Sequence, residues 1–154
     1  MDPVIKIKHT LDALFGNGTS RHLPKDIRFE FSKKKRIRHV YDGDKLLCTL
    51  RIDGGLAITV YFAQILLKSK KFRENCIQVD ADSKPFIEEG KSVFCKHVKR
   101  CGKNILISDD VPVLFRNKVI AVGRAVLSSS MIISQERGVA IKVRDSLKNR
   151  SKTR

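Results

Sequence analysis

The sequence predicts an α+β protein of two small domains, and three observations lead to that prediction. Stretches with the apolar spacing of a helix are few and short, whereas short alternating stretches typical of strands recur along the chain. The 154 residues are 42% hydrophobic, which is enough for a packed core. A change in composition near Glu74 separates a first domain, 1–75, from a second, 76–147, with a basic tail at 148–154.

The first domain is expected to combine a helix with a small sheet. A helix is predicted over residues 5–15, with Gly16 as its stop and with apolar positions at Ile7, Leu11, Leu14 and Phe15. Alternation predicts a hairpin of strands, 27–31 and 37–41, followed by strands over 45–52 and 56–60 around the turn at Asp53. A second helix is predicted over 61–71, with cations at its C-terminal end.

The second domain is expected to be a small, partly closed barrel. Asp82 or Ser83 can cap a short helix that has Pro85 in its first turn and ends at Gly90. Strands are predicted over 91–98, 111–115, 119–127 and 139–143. Short strands joined by turns, with one or two short helices, are typical of such barrels.

The charge balance indicates a polyanionic partner. The chain has 32 Lys and Arg against 16 Asp and Glu, a net charge of +16. Each half carries 16 basic and 8 acidic residues, so the positive charge is not confined to a tail. Neutralised phosphates release counterions and drive binding without sequence preference, and we expect both halves to contact the nucleic acid. The alternative is a solvated surface that serves solubility.

Cysteine usage and hydropathy predict a cytoplasmic protein. Cys48, Cys76, Cys95 and Cys101 form no CxxC pair, as expected of reduced thiols. The first eight residues lack an apolar signal core. The most apolar stretch, 56–67, is shorter than the ~18 residues that a membrane span needs. No membrane association is expected.

Motifs for catalysis or metal binding are incomplete. Residues 89–92 resemble the end of a phosphate-binding P-loop, but position 85 is proline and Ser92 enters a predicted strand. Cys95, His97 and Cys101 could supply three zinc ligands, yet no fourth is evident. The serines and histidines form no nucleophile arrangement. We therefore expect no catalytic residue, cofactor or metal.

Two regions are candidates for nucleic-acid contact. The densest cluster of cations lies at the predicted hairpin tip and comprises Lys33, Lys34, Lys35, Arg36 and Arg38. The alternative interpretation of this cluster is a solvated turn without a ligand. In the second half, strand alternation would place Phe94 and Lys96 on one face, as a stacking surface beside a phosphate contact. Phe94 could equally belong to the core.

The order of short motifs along the chain resembles that of a known family. From Cys76 to Arg144 the chain resembles a PUA domain, an RNA-binding module, through Pro85-Phe86 with Gly90-Lys91-Ser92-Val93-Phe94, Gly123-Arg124-Ala125 and Gly138-Val139-Ala140-Ile141-Lys142-Val143-Arg144. Together with upstream motifs, nearly the whole chain is similar to the C-terminal region of archaeal tRNA-guanine transglycosylase. Those upstream motifs are Phe15-Gly16-Asn17-Gly18, Leu23-Pro24-Lys25-Asp26, Arg36-Ile37-Arg38 and Leu50-Arg51.

The resemblance implies a non-catalytic RNA-binding protein. In that family a small domain and a PUA domain hold tRNA, while a separate barrel, which takes about 250 residues, exchanges a guanine on the way to archaeosine. It implies tRNA as the RNA and a separate tRNA-modifying enzyme subunit as a partner in trans. On the PUA surface, pattern and charge rather than the resemblance indicate the RNA-binding residues, which besides the hairpin cations are Gly90, Lys91, Phe94, Lys96, His97, Arg124, Lys142 and Arg144.

The chain departs from the family pattern at two positions, and other functions stay open. Lys35 stands where the family usually has glycine, and Pro112 lies in a predicted strand, which confines that strand to an edge or leaves it irregular. The alternatives are a PUA-containing translation or ribosome-biogenesis factor, an enzyme that modifies a base by itself, and a DNA-binding protein. The oligomeric state is not predicted.

Overall fold

The computed structural model describes residues 2–148, which divide after Phe72 into two compact units. In chain order, the helices and strands of the first unit are α1 (Pro3–Phe15), β1 (Ile27–Phe31), β2 (Ile37–Asp42), β3 (Lys45–Leu50), β4 (Leu56–Ile58) and α2 (Val60–Leu66). Those of the second unit are β5 (Ile77–Val79), α3 (Lys84–Glu88), β6 (Val93–Phe94), β7 (Val98–Cys101), β8 (Asp110–Phe115), β9 (Lys118–Ala125), α4 (Ser129–Ser134) and β10 (Val139–Ser146).

Capping sets the length of α1. The Asp2 carboxylate accepts a hydrogen bond from the Val4 backbone N–H at 2.9 Å, and Pro3 occupies the first helical position, where no N–H donor is needed. The helix therefore begins two residues before its predicted start. It ends at Gly16, as predicted, where the backbone takes a φ of 115°.

The sheet of the first unit is an antiparallel meander in the order β1-β2-β3-β4. The predicted spacing of α1 is confirmed for Ile7, Leu11 and Phe15, which are buried, but not for Leu14, which is 43% exposed. The Phe15 and Phe72 rings meet edge to face, with centroids 5.3 Å apart. The core of this unit also includes Val40, Leu47, Ile58, Phe62 and Leu66.

Helix α2 is shorter than predicted. It begins after Thr59, whose hydroxyl accepts a hydrogen bond from the Phe62 N–H at 3.2 Å, and it ends at Leu66. The Ser69 N–H donates to the Leu66 carbonyl, and this tighter bonding closes the last turn. The predicted helix end at Lys71 is therefore wrong, because Lys71 begins a separate 3-10 helix.

The second unit is a barrel-like sheet in the order β6-β10-β9-β8-β5-β7. The β5–β8 pair is parallel, and the other pairs are antiparallel. Its inward-facing side chains form one hydrophobic core, which includes Ile77, Ile87, Val93, Ile105, Val111, Val113, Ile120, Ile132 and Ile141. The predicted α+β class, with a small first domain and a pseudo-barrel second, is confirmed.

Helix α3 follows the prediction closely. Ser83 precedes it, Pro85 lies in its first turn, and Gly90 ends it with a φ of 98°. The Ser83 hydroxyl does not cap the helix. Instead, the Asp80 carboxylate accepts a hydrogen bond from the Ser83 backbone N–H at 3.0 Å.

The predicted strand over 91–98 is wrong. Only Val93 and Phe94 pair with β10; a 3-10 turn over 95–97 follows, and β7 then pairs with β5. The buried Cys95 marks the break, where its N–H donates to the Gly138 carbonyl at 2.9 Å. Because this segment supplies both edges of the sheet, a single extended strand could not satisfy both pairings.

Strand β8 lies inside the sheet, so the expected edge position of Pro112 is wrong. The parallel pairing with β5 involves only Val113 and Leu114, and Pro112 lies outside it. The register of β8 with β9 shifts between the same two residues. The alternative expectation, an irregular strand, therefore holds.

No helix within residues 2–148 is long and apolar enough to cross a bilayer. Of the predicted basic tail, only Lys148 is among the described residues, and its ammonium lies 3.2 Å from a Glu89 carboxylate oxygen. Residues 149–154 lie outside the described part of the chain.

Candidate nucleic-acid interface

The predicted cationic hairpin tip is present between β1 and β2. The Ser32 N–H donates to the Arg36 carbonyl at 2.8 Å, and the Lys35 N–H donates to the Ser32 carbonyl at 2.9 Å. This short loop requires a left-handed residue, and Lys35 takes that conformation with a φ of 59°. The side chains from Lys33 to Arg36 are all exposed, so the loop presents four cations to solvent.

The tip borders a groove of about 1350 Å³ within the first unit. The hairpin contributes Lys33, Lys34, Arg36 and Arg38 to its lining, whereas Lys35 is not part of it. Helix α1 adds Lys6 and Thr10, and the turn after β3 adds Arg51, Ile52 and Asp53. Four of the five predicted hairpin residues therefore share one concave surface with residues from two other elements.

The groove is strongly positive. Six basic side chains line it, and Asp53 is the one carboxylate among its described lining residues. One Asp53 oxygen lies 3.6 Å from Arg51 Nε and accepts a hydrogen bond from the Gly55 N–H at 2.9 Å. A concave surface with such an excess of cations raises the local concentration of anions and suits phosphate groups.

Sequence reasoning missed Lys6 and Arg51. A signal for Lys6 existed, because Lys6 and Thr10 are four residues apart on α1 and so lie on one side of the helix. Arg51 had a signal in the Leu50-Arg51 motif, but its position beside the hairpin did not follow from the predicted strands. The predicted strand over 45–52 would continue through Arg51. Instead, β3 ends at Leu50, and the Arg51 N–H donates to the Gly55 carbonyl at 2.8 Å, which places Arg51 in a turn.

The second unit has a cavity of about 820 Å³ around the 3-10 turn. Phe94 lines it and is 45% exposed, so this ring is not part of the core. Lys96 and Lys99 line the same cavity, together with Ile133 and Arg137, which the sequence did not suggest. Phe94 and Lys96 thus share a surface as expected, although the turn, rather than strand alternation, brings them together.

Three of the predicted RNA-binding residues lie on the neighbouring strands β9 and β10. Arg124 and Lys142 are direct cross-strand partners and both are exposed, so their side chains share one face of the sheet. Arg144 donates from Nη2 to an Asp110 carboxylate oxygen at 2.8 Å, and the Asp110 side chain is only 2% exposed. Arg144 is therefore held in an ion pair.

His97 is also held by a carboxylate. Its Nδ1 lies 2.8 Å from an Asp80 oxygen, and since an ionised carboxylate only accepts hydrogen bonds, Nδ1 is the donor. Partial burial acts to raise the pKa of the Asp80 carboxyl, but hydrogen bonds from His97 and Ser83 outweigh it and lower that pKa below its usual value. The pair fixes the ring orientation of His97.

Gly90 and Lys91 lie at the end of α3. The Lys91 N–H donates to the Phe86 carbonyl at 3.0 Å, and the Lys91 side chain is exposed. The predicted RNA-binding residues of the second unit therefore occupy distinct places: the end of α3, the Phe94 cavity, the β9–β10 face and the Asp80 pair.

The cysteines lack the environment of reactive thiols. Burial raises the pKa of Cys48 to about 12, and it also raises the pKa values of Cys76, Cys95 and Cys101. Protonated thiols are weak nucleophiles and weak metal ligands. Within residues 2–148, no cluster of three or more His, Cys, Asp or Glu side chains could hold a metal ion.

Comparisons with known proteins match both units. Residues 6–72 match the model of patch-forming domain C2 of tRNA-guanine transglycosylase, and residues 75–147 match that of the PUA domain. The tRNA-guanine(15) transglycosylase of Methanobrevibacter smithii is 36% identical over 151 residues, which is 96% of this chain and 23% of that protein. That of Methanothermobacter thermautotrophicus is 33% identical over 148 residues, 94% of this chain and 23% of its own length.

The fold also matches a solved structure. A hypothetical protein from Pyrococcus horikoshii superposes with a TM-score of 0.73 at 23% identity, over 93% of this chain and 89% of its own. The chain spans about a quarter of the length of the transglycosylases it matches. The resemblance predicted from sequence is confirmed: the chain matches the patch-forming C2 domain of tRNA-guanine transglycosylase followed by a PUA domain, and nearly its whole length is similar to part of the tRNA-guanine(15) transglycosylases.

Proposed function

We propose that this chain is a non-catalytic RNA-binding protein that holds tRNA and assists guanine exchange of the archaeosine type, with the chemistry carried by a separate polypeptide. The observation that carries the proposal is the groove of six basic side chains and one carboxylate in a patch-forming C2 domain. The similarity to tRNA-guanine(15) transglycosylases supports tRNA as the RNA.

In the first unit, phosphate contact is assigned to the hairpin cations. Lys33, Lys34, Arg36 and Arg38 line the groove, and Lys35 extends from the tip beside them. Exposed cations without a fixed carboxylate lose little when they exchange water for phosphate, and each contact releases counterions. Binding is therefore expected to weaken steeply as salt is raised.

In the second unit, the proposed contacts combine stacking with charge. The exposed Phe94 ring offers a face for a nucleobase, and Lys96 lies in the same cavity. Arg124 and Lys142 add a cationic strip on the sheet. Gly90 and Lys91 allow close approach of an RNA backbone at the end of α3, and His97 and Arg144, which Asp80 and Asp110 hold in place, are the remaining proposed contacts.

The first test is the salt dependence of tRNA binding, measured by fluorescence anisotropy. Lys96→Ala is expected to reduce the slope of log affinity against log salt by about one phosphate contact. Lys118→Ala is the matched control, because Lys118 is exposed at the start of β9 and lies outside the proposed surfaces. An equal change in both variants would remove Lys96 from the interface.

The second test addresses the role of the chain. Added to the catalytic part of an archaeal transglycosylase, the purified chain should increase incorporation of labelled base into tRNA. Turnover by the chain alone would contradict the non-catalytic proposal. Co-sedimentation with ribosomes instead of tRNA would favour a translation or ribosome-biogenesis factor, and tighter binding to duplex DNA than to tRNA would exclude the RNA assignment.

A further inference from the structure

We propose that the groove of the first unit binds an unpaired segment of RNA, with nucleobases over Ile52 and phosphates on the surrounding cations. This inference rests on the proposed function and specifies which RNA feature the patch-forming domain recognises. A paired stem is the competing ligand, since it too would bind a cationic surface.

The first argument is the apolar part of the groove. Ile37, Leu50 and Ile52 line it alongside the cations, and Ile52 is fully exposed, at 102%. Phosphate contact alone needs no such surface. A stem keeps its bases stacked inside the helix, whereas an unpaired segment presents base faces that gain by covering apolar side chains.

The second argument is Arg51. Its side chain lines the groove and is 26% exposed, and its Nε lies 3.6 Å from an Asp53 oxygen. The guanidinium lies against Gly55, where an added Cβ would come within 2.7 Å of Nη2. A guanidinium carries five N–H donors in one plane, and base edges and phosphates can both accept from the part that faces the groove.

The third argument is size. At about 1350 Å³ the groove exceeds the ~300–1000 Å³ of sites that enclose one drug-sized ligand. Its cations come from α1 through Lys6 and from the hairpin through Lys33, Lys34 and Arg36. Several phosphates can therefore be neutralised along a strand, which fits a run of nucleotides rather than a single one.

The experiment compares two fluorescent RNAs with the full chain at the same salt: a stem-loop, and a blunt duplex of the same stem. Ile52→Ser removes the apolar contact, and since this side chain is fully exposed, folding should not change. Arg51→Lys keeps the charge but removes the planar set of guanidinium donors. Leu14→Ser is the control, because Leu14 is an exposed apolar residue of the same unit outside the groove.

The wild-type chain should bind the stem-loop more tightly than the duplex. Ile52→Ser and Arg51→Lys should each weaken stem-loop binding about fivefold while changing duplex binding less than about twofold. Leu14→Ser should change neither. Ultraviolet crosslinking from 4-thiouridine in the loop should label a peptide that contains Ile52.

The outcomes separate this inference from the proposed function. Failure to bind either RNA would overturn both. Duplex binding at least as tight as stem-loop binding, or equal losses on both RNAs in the two variants, would overturn the inference and leave RNA binding intact. Tighter binding of a polyglutamate peptide than of the stem-loop would overturn it in favour of an acidic protein partner.

Discussion

Replacing Lys35 by glycine should make the first unit more stable and at the same time weaken RNA binding. Lys35 is a β-carbon-bearing residue at a φ of 59°, in a loop closed by hydrogen bonds between Ser32 and both Lys35 and Arg36. Glycine takes that conformation without steric cost, and it removes one of the exposed cations at the tip.

The size of the stability gain follows from two opposing terms. The left-handed conformation costs a non-glycine residue about 1–2 kcal/mol. Glycine itself lowers the stability by about 0.5–1 kcal/mol, because it loses more conformational freedom on folding than other residues do. Taking the middle of each range, the free energy of unfolding should rise by about 0.75 kcal/mol, which raises the melting temperature of a unit this small by roughly 4 °C.

Thermal and urea denaturation measure the stability, and anisotropy with tRNA across a salt series measures the phosphate contacts. Lys35→Ala is the informative comparison, because it removes the charge and keeps the conformational cost. Both variants should reduce the salt slope by about one contact. Only Lys35→Gly should gain stability.

Several results would refute this reasoning. Equal stability of Lys35→Gly and Lys35→Ala would mean that the backbone cost is absent in solution. A less stable Lys35→Gly would mean that the lysine side chain stabilises the loop in a way that outweighs its conformation. An unchanged salt slope in both variants would exclude Lys35 as a phosphate contact.

Two further predictions concern the carboxylates that hold basic residues of the second unit. Arg144→Ala should lower the free energy of unfolding by about 2 kcal/mol, because it removes the ion-pair partner of the buried Asp110. The control, Lys142→Ala, should change the free energy of unfolding by less than about 0.5 kcal/mol. Similar urea midpoints for the two variants would contradict this prediction. Asp80→Asn should cost about 1–2 kcal/mol at neutral pH through its bond to His97. Because the pKa of Asp80 is lowered in the folded state, the ionised carboxylate stabilises the fold fully above pH ~4, and this stabilisation is lost as pH falls through the folded pKa. The difference in unfolding free energy between wild type and Asp80→Asn should therefore shrink in acid. A difference that stays constant with pH would contradict this prediction.

Local signals were sufficient for much of the fold. The apolar spacing of α1 predicted its buried face because Ile7, Leu11 and Phe15 lie on one stripe. Pro85 and Gly90 marked the two ends of α3, since each has a conformational preference that depends little on distant residues. The hairpin tip was likewise set by a short polar loop between alternating strands.

The segment over residues 91–98 shows where local signals fail. Val93 and Cys95 are buried and Phe94 and Lys96 are exposed, which is the pattern that a continuous strand would give. The 3-10 turn arises because β6 pairs with β10 whereas β7 pairs with β5. Those partners lie far apart in the sequence, so the turn and the Phe94 cavity that it lines depend on tertiary pairing.

Net charge also says little about which cations can contact a ligand, and the ion pairs of the second unit show why. Lys99 and Arg100 are adjacent, yet Arg100 lies 2.6 Å from a Glu74 oxygen while Lys99 lines the Phe94 cavity. Lys142 and Arg144 differ in the same way, since Asp110 holds only the arginine. In both cases the carboxylate is more than twenty residues away in sequence, so only the fold decides which cation is held. The salt slope of RNA binding should therefore count fewer phosphate contacts than the basic residues of this unit would suggest.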